Sequence, residues 1–554
     1  MVIIPNFDYI HSLFDKQDRL SMKKLFNNFK ISSFPRLSKF GLPLAAAGIV
    51  LGCTTEKEVI PETEKKSPNI LFIAVDDLRA ELGCMGDTLI KTPNIDRLAQ
   101  IGVTFNRAYC QQAICNPSRA SLLTGYRPDS IGVVDLFTDF RDNVPDVITL
   151  PQYFKNNGYY TTSIGKIYHN NIQDSISWHE KFTIDGFPHD PDAVYLTEEN
   201  LQLVEEKKQR LIAAGNSERY TGPFGMWYIK TSSTEIADVP DNAYYDGAQT
   251  DFAIDKLAEF KDGKDPFFFG VGYYRPHLPF NAPKRYWDMY DRASIPLPDN
   301  PFTPKNAPDC AMNKTLELRR SYSDFHGTPS PHEGTFTDEQ TRMLRHGYYA
   351  SVSYTDAQIG RLLDAMDSLG LTDNTIIVLW GDHGWKLGEH NSWCKQTNYE
   401  IDTRVPMIIC DPRSKTKGQH SDALVEFVDI YPTLCDMVGL DVPTSLHGVS
   451  MKPLIENPEK EWKSAIFTQH LRGPFNRLEK EDYVMGRAIR TDRYRYVEWR
   501  NFNTDEFKGM ELYDLDKDPQ ENESIAHLPE NAELIKKLSA ALKAGWREAV
   551  PMKN

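Results

Sequence analysis

The sequence predicts an α/β protein with a large, mostly parallel sheet sandwiched by helices and a smaller antiparallel sheet at the C-terminus. Three observations carry this expectation. Unbroken apolar runs of strand length, rich in β-formers, lie at 70–75, 267–271 and 375–380, as in central parallel strands covered on both faces. Helical periodicity separates them: Ile359, Leu362, Leu363, Met366 and Leu369 fall on one face within 350–370, and Gly370 stands at the stop. After Leu454 the pattern becomes short, aromatic and period-two, at 465–467, 483–485, 488–490 and 493–497, which suits antiparallel strands with one solvated face.

From the N-terminus, Lys23, Lys24, Lys30, Arg36 and Lys39 precede an apolar run at 41–52 that ends at Cys53. That run is too short to span a bilayer and reads as a targeting signal. Val50-Leu51-Gly52-Cys53 resembles a bacterial lipobox, which implies export and lipidation of Cys53. The expected organisation is therefore a signal at 1–53, a polar tether at 54–67 and a main domain at 68–455. A C-terminal subdomain follows at 456–554, closed by a helix at 532–549. The stretch 276–308, dense in proline and aromatics, reads as a long ordered loop over the strand ends.

A chain of 554 residues can bury a large core. Its 40% apolar and 25% charged residues are those of a globular enzyme. A net charge of -15 excludes nucleic acid as a main partner. An anionic ligand would need a local cluster of cations or a metal. Eight cysteines form no zinc-type spacing, and their pairing is not readable from sequence.

The apolar runs lead into Asp76-Asp77, Tyr274-Arg275-Pro276-His277 and Asp382-His383. The C-terminal ends of parallel strands are where open α/β sheets build their sites. Between them, Cys115-Asn116-Pro117-Ser118-Arg119 precedes Ala120 to Gly125. This predicts a short helix with Asn116 as cap, Pro117 at its first position and Gly125 at its stop. Cys115 then sits where free N–H groups favour an anion, and Arg119, one turn on, adds a charged fork. Taken alone, the pattern suits a thiol hydrolase, a phosphatase or a buried cysteine before a capped helix.

The string Cys115-x-Pro117-Ser118-Arg119, followed by Leu123-Thr124-Gly125, resembles the signature read by enzymes that convert a cysteine to formylglycine (3-oxoalanine). Further segments extend the likeness across nearly the whole mature chain: 165–169, 275–280, 381–385, Gly388-Glu389-His390, Trp393-Cys394-Lys395 and 512–519. Together they resemble the type I sulfatases of the alkaline phosphatase superfamily, and most closely the iduronate-2-sulfatases. The resemblance implies an alkaline-phosphatase-like fold, a formylglycine-generating maturase acting on Cys115, and Ca2+ held by Asp76, Asp77, Asp382, the modified Cys115 and His383. Where His383 stands many relatives have Asn, and imidazole is a softer calcium ligand. Lys166 and His169 are expected beside the nucleophile, with His169 accepting a proton. His277, as general acid, and Lys395 are expected at the sulfate and leaving oxygen. The implied reaction is removal of sulfate from a glycan, such as the 2-O-sulfate of a uronate. Alternatives are an algal polysaccharide (ulvan, fucan or carrageenan), a phosphatase or phosphonate hydrolase of the same fold, and a non-catalytic glycan-binding lipoprotein. Tyr273, Tyr274, Trp385 and Trp393 stand near these motifs as sugar platforms or core, and Arg275 as a carboxylate partner or a surface charge.

Overall fold

The computed structural model describes residues 67–170, 172–184, 194–215, 229–473 and 482–551. Cys53 and the tether up to residue 66 lie outside them. No helix among the described residues is long and apolar enough to cross a membrane.

Eight strands build the main sheet: β1 (Asn69–Val75), β2 (Val103–Phe105), β3 (Tyr160–Gly165), β4 (Glu180–Phe182), β5 (Phe267–Tyr273), β6 (Thr375–Gly381), β7 (Met407–Cys410) and β8 (Gln419–Ser421). Their order across the sheet is β8-β2-β7-β6-β1-β5-β3-β4. Strand β7 runs against its two neighbours, and the remaining pairs are parallel.

Both faces of the centre are buried, which explains the unbroken apolar runs. Leu71, Ile73 and Val75 of β1 enter one core layer, while Ile70, Phe72 and Ala74 enter the other. Strand β6 divides the same way, Ile377 and Leu379 against Ile376, Val378 and Trp380. Helices α1 (Pro93–Ile101), α3 (Tyr245–Lys261) and α4 (Asp338–Leu369) supply the first layer. Helices α2 (Cys115–Thr124) and α5 (Ile430–Val438) supply the second.

Several sequence expectations are corrected. Helix α4 starts well before 350, because Thr337 and Gln340 form a reciprocal capping box ahead of it; Gly370 closes it at φ 69°. Helix α2 starts at Cys115 itself, with Ile114 as an extended cap that gives no side-chain bond. Asn116 does not cap it; its amide donates to the carbonyls of Asp135 and Thr138, each at 2.9 Å. The 276–308 stretch is not all loop, since Phe280–Pro283 pairs in parallel with Thr234–Ala237 and Lys284–Trp287 is one helical turn.

The C-terminal sheet has four antiparallel strands, β9 (Ala465–Arg472), β10 (Val484–Thr491), β11 (Tyr494–Asn501) and β12 (Phe507–Asp514). The two short patterns at 483–485 and 488–490 are thus one strand, and β12 carries no strong alternating signal. One face packs Val484, Val497, Trp499 and Tyr513 on Met312 and Tyr399. Helix α6 (Ala532–Ala544) covers the other and ends at Gly545, φ 83°, short of 549.

Candidate active site

Four adjacent strands, β6, β1, β5 and β3, end at one level, with Val75 opposite both Gly381 and Tyr273 and Gly165 opposite Gly272. The next residues along the chain therefore meet. Asp76 and Asp77 follow β1, Asp382 and His383 follow β6, Lys166 follows β3, and His277 stands four residues beyond β5. Two glycines permit the approach at β3. A Cβ on Gly165 (φ 74°) would lie 2.1 Å from the Gly272 carbonyl oxygen, and one on Gly272 would lie 2.3 Å from the Lys166 backbone. The turn to His277 is fixed by Asp246 of α3, whose carboxylate accepts the N–H groups of Tyr274 (3.0 Å) and Arg275 (2.8 Å).

Helix α2 presents Cys115 to this edge. Its Sγ is 3.3 Å from His383 Nε2, and His383 Nε2 is 3.4 Å from Asp77 Oδ1. Ligand atoms of Asp76, Cys115 and Asp382 lie within 4.8 Å of one another, as do those of Asp77, Cys115 and His383. Arg119 turns its fork away from the cavity. Nε donates to Asp382 Oδ2 (2.9 Å), one terminal nitrogen to Asp76 Oδ1 (3.0 Å) and the other to the carbonyls of Lys166 and Ile167. It ties two strand ends together instead of facing an incoming anion.

The cations divide between the carboxylates. Lys166 Nζ donates to Asp76 Oδ2 at 2.5 Å. Lys395 Nζ reaches both Asp77 oxygens (3.0 and 3.1 Å) and Glu317 Oε1 (3.1 Å). His277 stands with Nε2 3.1 Å from Glu317 Oε1 and Nδ1 2.6 Å from the Leu278 carbonyl. Burial would raise the Asp76 carboxyl, but Lys166 and Arg119 override it and hold it well below the usual range. At Asp77 burial outweighs Lys395 and His277 and lifts the carboxyl to about 6. Burial, reinforced by Asp76, pushes the Cys115 thiol well above its ordinary value. Burial thus disfavours the thiolate on which a thiol hydrolase depends.

This cluster opens into a cavity of about 530 Å³ walled by Cys115, Lys166, His169, His277, Glu317 and Lys395. Of the candidate residues, Cys115, Lys166, His169, His277 and Lys395 line the cavity, Asp76, Asp77, Asp382 and His383 are buried against them, and Arg119 lies behind the carboxylates it bonds. Of the expected sugar platforms, Tyr273, Tyr274, Trp385 and Trp393 are buried at 5% exposure or less. Trp385 lies beneath Lys395, with Nζ 4.7 Å from the ring centre. Arg275 is buried too and donates to the His277 carbonyl at 2.8 Å. Glu317, Lys230, Arg320 and Asp246 were not singled out in the sequence. No motif marks them: long-range packing brings Glu317, Lys230 and Arg320 to the cavity and sets Asp246 against the backbone that leads to His277.

Three carboxylates at adjoining strand ends, set among cations beside a cavity of about 530 Å³, are a donor set for a hard divalent ion. The lifted Asp77 carboxyl is one that such an ion would return to its charged form. Fold and site together define a hydrolase of the alkaline phosphatase superfamily. A family model described as Sulfatase matches residues 68–440, and one described as N-sulphoglucosamine sulphohydrolase, C-terminal, matches 388–548. The chain is 37% identical to an iduronate 2-sulfatase of Mus musculus over 68% of its length and 69% of the relative's. Against that of Homo sapiens it is 34% identical over 80% of both chains. A solved structure in complex with D-glucosamine-2-N,6-O-disulfate superposes with a TM-score of 0.65 at 25% identity, covering 86% of this chain and 97% of that one. The chain belongs to the sulfatase family and is a sulfuric ester hydrolase.

Proposed function

We propose that this sulfatase removes the 2-O-sulfate of a uronate in a sulfated glycan, with Cys115 converted to formylglycine by a maturase and Ca2+ as the metal. The observation that carries the reading is the meeting of Cys115 with Asp76, Asp77 and Asp382 at the floor of a cavity whose walls are cationic. The likeness to two iduronate 2-sulfatases supports the substrate class. Asp76, Asp77 and Asp382 would hold the ion, with position 115 and His383 beside it. When bound, the ion supplies positive charge to the ester oxygens and favours ionisation of the attacking hydroxyl. The hydrated aldehyde supplies an oxygen nucleophile where the thiol cannot, and divides the hydrolysis into two easier steps.

The remaining groups handle charge and protons. Lys166 and Lys395 place ammonium groups in the cavity wall, where charge builds on the sulfate oxygens in the transition state. His277 faces a carbonyl through Nδ1 (2.6 Å) and the Glu317 carboxylate through Nε2 (3.1 Å), two acceptors that favour the imidazolium form. That is the form a general acid needs, and His277 protonates the leaving sugar oxygen. Burial would raise the Glu317 carboxyl, but Lys395 and His277 keep it well below the usual range, so it stays an anion that orients both. His169 accepts the proton that releases sulfate. Arg119 keeps Asp76 and Asp382 in position.

Mass spectrometry of the Cys115 peptide, after co-expression with a maturase, tests the nucleophile: the expected product is the aldehyde, and an intact thiol in active enzyme overturns it. Sulfate release from defined 2-O-, 3-O- and 6-O-sulfated oligosaccharides tests the substrate. Turnover of an aryl phosphate without sulfate release from any glycan would overturn the reading in favour of a phosphatase. Cys53 is read as a lipid anchor; a Cys53→Ser chain is expected in the soluble fraction, and retention on membranes contradicts it.

A further inference from the structure

The chain carries a net charge of -15, yet the cavity wall holds Lys166, Lys395, Lys230 and Arg320 against one carboxylate, Glu317. Lys166 and Lys395 are bonded to the strand-end carboxylates. Lys230 and Arg320 belong to different segments that fold into one rim. Ser323 N–H donates to the Thr231 carbonyl at 2.6 Å, and Asp324 accepts both the N–H (2.9 Å) and the hydroxyl (2.7 Å) of Ser233. The Lys207 ammonium joins the carbonyls of Lys230 and Ser321. These ties hold the Lys230 backbone beside the helix Leu316–Ser321, which carries both Glu317 and Arg320. Lys230 also acts electrostatically on Glu317, which bonds His277. The second pair of cations is thus a built part of the cavity, linked to the groups that meet the ester. Charge of this sign, on a strongly acidic chain, selects an anion and steers it inward.

We infer that Lys230 and Arg320 form a rim subsite for a second anionic group of the substrate, separate from the sulfate that is cleaved. This rests on the cavity being the sulfatase site. A uronate carboxylate and a second sulfate share the required chemistry, an oxyanion with in-plane or terminal acceptors for an ammonium and a guanidinium.

The test compares kcat/KM within two matched pairs of substrates. One pair is a 2-O-sulfated uronate disaccharide and its carboxyl-reduced counterpart. The other is glucosamine-2-N,6-O-disulfate and N-acetylglucosamine 6-O-sulfate. The wild-type enzyme is expected to prefer the doubly charged member of at least one pair by about tenfold or more, the range of a charge-assisted bond. In Lys230→Gln and Arg320→Gln that ratio should fall towards one, through KM rather than kcat. A preference within the first pair that the variants lose assigns a carboxylate. A preference within the second pair alone that they lose supports the subsite and overturns the uronate reading. Wild-type turnover of the 2-O-sulfated uronate with no preference in either pair, or with preferences intact in both variants, overturns the subsite and leaves that reading standing.

Discussion

Arg119 gives the sharpest test of how the site is held. Its side chain is fully buried, as are its partners Asp76 and Asp382. It makes two charge-assisted bonds, at 3.0 and 2.9 Å, and two more to the carbonyls of Lys166 and Ile167. Arg119→Met keeps most of the volume but leaves two buried carboxylates without this partner, and breaking a buried pair on one side costs about 3–5 kcal/mol. Arg119→Lys keeps a charge but has one nitrogen, which cannot bridge both carboxylates and both carbonyls. Loss of one or two charge-assisted bonds, each worth about 1.5–3 kcal/mol, sets its cost at about 2–3 kcal/mol after local readjustment. Position 119 also lies within the string that the maturase is expected to read, so turnover alone would confuse maturation with architecture. The deciding assay is urea unfolding of the two variants in a Cys115→Ala background, where maturation plays no part. The expected order of midpoints is wild type, then Lys, then Met. Midpoints within experimental error of one another would refute the claim that this guanidinium binds the strand ends together.

Cys115→Ala alone is expected to abolish sulfate release while shifting the unfolding free energy by less than about 2 kcal/mol, the cost of one small buried group. Wild-type turnover in that variant contradicts the nucleophile assignment. Gly165→Ala should destabilise the fold by about 2 kcal/mol or more, because the residue has φ 74° and a Cβ would strike the Gly272 carbonyl. Its kcat should fall as well, since Lys166 is displaced; unchanged stability refutes the close approach. Removal of divalent ions by EDTA should abolish activity and lower the melting temperature, both restored by Ca2+, and Asp382→Asn should lose the calcium-dependent shift. Burial holds His390 neutral, with its pKa depressed to about 3. The unfolded chain therefore takes up this proton first as pH falls below about 6.5, and the stability present above that value is lost downward. Between pH 7 and 5 the wild type should lose about 2 kcal/mol relative to His390→Gln in urea titrations; a constant difference contradicts it.

Part of the site is legible in the sequence from local patterns, whereas the roles expected of Lys166, His169, His277 and Lys395 came only from the resemblance to the sulfatases. An apolar run buried on both faces must be a central strand. Polar residues after it must then emerge at the strand end, which placed Asp76, Asp77, Asp382 and His277 at one sheet edge. The Cys115 string likewise predicted a short helix, although its cap was misread because Asn116 spends its amide on the distant carbonyls of Asp135 and Thr138. What only the tertiary structure decided is which charges neutralise which. Arg119 binding two strand ends, Glu317 joining His277 to Lys395, and Lys230 meeting the helix of Arg320 across about ninety residues of sequence leave no periodic trace. Periodicity reports the burial of a segment's own faces, whereas these pairings depend on the path of the chain between segments, and that path is set by packing of the whole core.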